Sequence, residues 1–67
     1  MSNFLAIYYF LKAEFLLDSE KWFSVRDVSQ VFDLSIDRTR KHLSVLVLSG
    51  EAETKIDGWK NVYRCKL

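Results

Sequence analysis

Three cations fall within four positions, Arg38, Arg40 and Lys41, just behind Ser35-Ile36-Asp37. An arginine fork donates two N–H bonds to O6 and N7 of guanine, a contact worth about 1–3 kcal/mol of base discrimination. A lysine ammonium can reach the same atoms or hold a phosphate. On a helix, at 100° per residue, Arg38, Lys41 and Val45 project away from the apolar line Ile36, Thr39, Leu43, Leu46 and Val47. Asp37, Ser44 and Leu48 lie on the shoulder beside them. Arg40 sits nearer the buried flank, where it would reach the nucleic-acid backbone. Ser24 and Ser35 each open a helix, and hydroxyls with N-terminal amides are natural phosphate ligands. Asp37 favours the helix macrodipole by about 0.3–1 kcal/mol and could accept from cytosine N4. Val45 could meet a thymine methyl, although packing is the expected role of Val45 and Leu48. The competing description of this surface is a solvated charged helix face.

Other chemistries find little support. His42 has no nucleophile or orienting group beside it, and Ser44 and Ser49 lack the geometry of a nucleophile elbow. No Gly-rich phosphate loop, paired-carboxylate motif or metal-ligand cluster is present. One Cys and one His cannot supply a four-ligand zinc site, and a lone Cys65 allows no internal disulfide. The expectation is a protein that is not an enzyme and needs no metal or cofactor. Trp22, Trp59 and Tyr63 could stack on single-stranded bases, but core packing is expected, with Trp22 buried and Trp59 partly exposed.

These residues need rigid elements to position them. Residues 3–17 predict a helix, with Phe4, Ile7, Tyr8, Leu11 and Phe15 on one stripe and Ser2 or Asn3 as its cap. Leu5, Tyr9 and Leu16 form a second apolar line, and Phe10 and Leu17 lie on the opposite flank. A helix apolar nearly all round is buried or shared with a partner. A short strand is expected at 21–23. Ser24-x-x-Asp27 then fits a capping box opening a helix over 25–32, with Val28, Val31 and Phe32 inward. Asp33-Leu34-Ser35 makes a turn, with Leu34 inserted between the helices. A second helix runs over 36–49, and Gly50 ends it as a left-handed cap. Strands at 52–56 and 60–66 pair as a hairpin around Asp57-Gly58.

A chain of 67 residues predicts a single domain with a small core. Its 49% apolar and 15% aromatic content must supply most of the stability. No basic leader or cleavage site precedes the apolar start, and Lys12 and Glu14 interrupt it, so a cytoplasmic protein with no membrane partner is expected. Net charge is +1, but it is uneven: residues 1–33 carry net −2 and residues 34–67 net +3. The positive half holds the cationic helix and the hairpin, and exposed charges act only within a screening length of about 8–10 Å.

The element order resembles the winged helix-turn-helix superfamily, as do Ser24-x-x-Asp27, Leu34-Ser35, Leu43-x-x-Leu46-x-x-x-Gly50 and Asp57-Gly58. The small size is similar to the fimbrial-operon regulators of the PapI/FaeA type. The resemblance implies an α+β fold of three helices with a small antiparallel sheet and wing. It also implies a recognition helix in the major groove, with Ser35, Asp37, Arg38, Lys41, Ser44 and Val45 facing the bases. Lys55, Lys60 and Asn61 are the implied wing contacts. The sequence departs from the pattern at Glu51, where the superfamily is usually apolar, and Glu53 and Asp57 add negative charge to the wing.

The expected function is therefore sequence-specific binding of double-stranded DNA to regulate transcription in a cytoplasmic, nucleoid-associated setting. A homodimer through Leu5, Tyr9 and Leu16, or a larger protein partner on the same helix, would double the contacts. The alternative is a winged-helix protein-interaction module, an adaptor or anti-regulator, with little DNA binding. A subunit of a phage or plasmid replication complex is a third option.

Overall fold

The second and third helices of this chain each start and stop on a local device, and those devices set the spacing of the elements around them. The computed structural model describes residues 3–66, so the candidate cap Ser2 lies outside the described residues. The order is α1 (Asn3–Leu17), β1 (Phe23–Ser24), α2 (Val25–Phe32), α3 (Ile36–Leu48), β2 (Ala52–Asp57) and β3 (Lys60–Cys65). The fold is α+β, three helices with one three-stranded antiparallel sheet.

The start of α2 is a complete capping box. Ser24 Oγ accepts the Asp27 N–H at 3.1 Å, and Asp27 Oδ2 accepts the Ser24 N–H at 3.0 Å. Two otherwise orphaned donors are thus satisfied. At the other end, Asp33 takes the left-handed conformation at φ 53°, and the Leu34 N–H reaches the Ser29 carbonyl at 3.0 Å. Asp tolerates that conformation better than most residues, and the reversal turns the chain into α3. Ser35 caps α3 by accepting the Arg38 N–H at 3.1 Å. The helix stops at Leu48 in a Schellman closure: Gly50 stands at φ 82°, its N–H on the Val47 carbonyl and the Glu51 N–H on that of Leu46.

The sheet order is β1-β3-β2, so β3 is central. Tyr63 pairs with Phe23 on one side and Thr54 on the other, and Cys65 pairs with Ala52. Phe23, Ala52, Tyr63 and Cys65 join Ile7, Leu11, Val28, Leu43 and Leu46 in one core. Ile7, Val28, Leu43 and Leu46 have no exposed surface, each worth about 1.5–3 kcal/mol of burial. Thr39 is equally buried, and its hydroxyl donates to the Ser35 carbonyl at 2.9 Å. Phe10 ties α1 to the rest, meeting Phe23 and Phe32 edge-on at 5.2 and 5.6 Å between centroids.

Several expectations shift. The strand expected at 21–23 begins at Phe23, because only Phe23 and Ser24 have ladder partners on β3. The hairpin turn is Gly58-Trp59, not Asp57-Gly58, since Asp57 still pairs with Lys60. Val31 faces water and Ser29 is buried in its place; α2 presents 28, 29 and 32 to the core. Ile36, expected inside, is partly exposed at the start of α3, and Leu48 is 86% exposed because the hairpin does not reach it. Trp22 is only half-buried. Lys55 Nζ and the Arg64 guanidinium both lie over it, 4.5 and 4.4 Å from its ring centre.

Arg64 also fastens the outer face of the sheet. Its Nε donates to Glu53 Oε1 at 2.6 Å and its NH1 to the Ser19 carbonyl at 2.7 Å. One side chain therefore binds β3 to β2 and to the α1–β1 connection.

Leu46→Ala should destabilise the fold by about 2–5 kcal/mol. In so small a domain that loss should appear as unfolding near room temperature, read by circular dichroism during a thermal melt.

Candidate nucleic-acid interface

The basic side chains of α3 are divided between two flanks. Ser35, as N-cap, holds the first turn of α3 toward solvent, and Asp37, Arg38, Arg40, Lys41, Ser44 and Val45 are all exposed. Arg38 and Lys41 border a shallow hollow with Asn3, Phe4 and His42, at the start of α1. His42 packs beside Phe4, ring centres 6.1 Å apart, and belongs to this α1–α3 contact.

Arg40 looks the other way. It borders an open cleft whose walls are the start of α2 (Val25, Arg26) and the hairpin tip (Trp59, Lys60, Asn61). Three cations from three separate elements, Arg26, Arg40 and Lys60, thus share one concave surface. Their positive potentials add there, because side chains in a common cleft lie within a screening length. Arg40 is held by Asp37 at 3.2 Å, with both side chains more than half exposed. An exposed pair of this kind is worth about 0–1 kcal/mol, so a phosphate can displace the carboxylate at small cost.

The expected site residues are therefore partly regrouped. Ser24 borders the cleft but is only 7% exposed, and its hydroxyl serves the α2 cap. Lys55 is not at the cleft; its ammonium lies over Trp22 on the outer sheet face. Lys60 and Asn61 do reach the cleft. Arg26 was missed in the sequence because it stands alone, at the first turn of a mostly uncharged helix. Its position two residues after the Ser24 cap is the signal that could have found it. The acidic character of the hairpin is also reduced, because Glu53 is neutralised by Arg64.

The second apolar line of α1 is open. Tyr9 is 54% exposed and Leu16 71%, with Leu5 at 43% on the same side of the helix. Leu17, on the other flank of the helix, is also exposed. No helix among the described residues is long and apolar enough to cross a membrane. No group of three or more His, Cys, Asp or Glu among them is placed to hold a metal ion.

Compared with known proteins, the chain matches no family model, no curated protein and no solved structure.

Cys65 lies in the core, away from this surface. Burial pushes its thiol pKa up from 9.0, Glu51 and Glu53 add to the effect, and Lys12 opposes it. The unfolded thiol then ionises before the folded one. Its contribution is unchanged below pH 9 and is lost as pH rises from 9 through the folded value. Cys65→Ala should flatten the fall in stability above pH 9, measured by urea titration at several pH values. In the native protein the thiol should resist iodoacetamide until the chain unfolds.

Proposed function

We propose that this chain is a winged-helix protein that binds double-stranded DNA and regulates transcription. In this reading α3 is the recognition helix, lying in the major groove, and the β2–β3 hairpin is the wing. The observation that carries it is the convergence of Arg26, Arg40 and Lys60 on one cleft beside the exposed face of α3. That cleft suits a phosphate strand, while Arg38, Lys41, Ser44 and Val45 face the base edges. Base-reading and backbone-holding groups are then separated on one surface, as sequence-specific binding requires. Regulation follows from occupancy of a short duplex site, controlled by the amount of protein or by a partner.

The two groups of cations should fail differently. Sites selected from random duplex DNA should bind with an affinity that falls steeply as salt rises. Arg26→Ala with Arg40→Ala should weaken all sequences alike and lower the salt slope by about one per lost phosphate contact. Arg38→Ala should cost about 1–3 kcal/mol on the selected site and relax its sequence preference. If both variants bind as the wild type does, the proposed surface is not the one used.

The exposed line Leu5, Tyr9 and Leu16 supports a homodimer, or a larger protein partner, through α1. It also favours the second reading, a protein-interaction module, in which DNA binding is weak and insensitive to salt. Tyr9→Glu with Leu16→Glu should leave the melting temperature nearly unchanged and convert a dimer to monomer in sedimentation equilibrium. A wild-type chain that is monomeric at high micromolar concentration would remove the homodimer from the proposal.

A further inference from the structure

Trp59 stands at the tip of the hairpin with 101% of its surface exposed. An indole buries on the order of 150–250 Å² when it packs, so leaving one wholly in water forgoes a large stabilisation. The chain has the means to cover an indole, because Lys55 and Arg64 both lie against the half-buried Trp22 ring. Nor does the turn need an aromatic. Gly58 at φ 69° followed by a residue at negative φ is the pattern of a type II′ turn, which accepts small polar residues after the glycine. The tip is also firmly held: six consecutive pairs join β2 to β3 up to Asp57 and Lys60. Trp59 is thus a large flat ring presented on a fixed mount. Its chemical surroundings are cationic and polar. Lys60 and Asn61 follow it, and Arg26 and Arg40 face it across the cleft. Ile56, 73% exposed, adds a second apolar group just before the turn.

From this arrangement we infer that Trp59 is a wedge that stacks on a base of the bound duplex, opening one base step beside the site read by α3. The inference rests on the proposed DNA-binding function and adds to it a second recognition element. The cations of the cleft hold the adjacent phosphates, and the indole takes the place of a neighbouring base in the stack. Apolar side chains inserted in this way unstack and kink the duplex. Flexible pyrimidine–purine steps would then be preferred beneath the hairpin, although no hydrogen bond reads them.

The test uses a short duplex carrying a selected site, with 2-aminopurine placed in turn at each step flanking the major-groove contacts. Wild-type protein should raise the fluorescence of the probe at one step and bend the duplex in a permutation assay. Trp59→Ala should bind roughly 5- to 100-fold more weakly, lose both signals and keep the wild-type melting temperature. Trp59→Phe should recover most of the affinity. In Trp22→Phe protein, where Trp59 is the remaining indole, duplex should quench its emission. If Trp59→Ala binds and unstacks as the wild type does, with a normal salt slope, the wedge is overturned and DNA binding stands. If the wild-type chain binds no duplex, both fall. An emission shift with anionic phospholipid vesicles but not with duplex would also overturn the wedge.

Discussion

The burial of Leu43 and Leu46 against Ile7 and Val28 is the constraint on which the rest of this structure depends. With one cysteine the chain can form no internal disulfide, and among the described residues no group of three or more His, Cys, Asp or Glu is placed to hold a metal ion. Three helices and a three-stranded sheet must therefore close over a few apolar side chains. Because α3 gives Thr39, Leu43 and Leu46 to that core, its opposite side is committed to solvent. The display of Asp37, Lys41 and Ser44 is the other consequence of the same packing. A helix cannot turn those residues inward without opening the core.

Charge is then distributed by the neighbours of α3. On one flank the start of α1 meets Arg38 and Lys41; on the other, the start of α2 and the hairpin tip meet Arg40. Two nearby carboxylates are occupied, Glu53 by Arg64 and Asp27 by the Ser24 cap, while Asp37 stays on the surface as the exposed partner of Arg40. This explains how a chain of net charge +1 can present a locally cationic cleft. It also shows why hairpin acidity, counted along the sequence, overstates the repulsion a phosphate would meet.

Much of this could be read from the chain alone wherever the deciding groups lie within a few residues of one another. The Ser24 and Asp27 box, the Ser35 cap and the Gly50 stop all close through i to i+3, i+4 or i+5 bonds, and the helix boundaries followed within a residue. Residues 25–32 gave α2 unchanged. The two-residue strand β1 was misplaced because it exists only through its pairing with Val62 and Tyr63. The turn slipped by one residue because Asp57-Gly58 and Gly58-Trp59 differ only in which residues the opposite strand engages. Val31 fits the inner face of α2, and Val45 and Leu48 are expected to pack, yet all three are exposed because no element among the described residues covers them.

The sequence by itself determined the three helices, the element order and the division of α3 into a buried and an exposed side, since caps and helical periodicity act locally. Tertiary structure decided the membership of the cationic surface. It brought Arg26 to Arg40 and Lys60, took Lys55 away to Trp22, made Arg64 a fastening between strands and left Trp59 uncovered. The physical reason is that a side chain's partners across the sheet and between helices depend on strand register and on how helices dock. Those are set by the shared core, through contacts far apart in the chain.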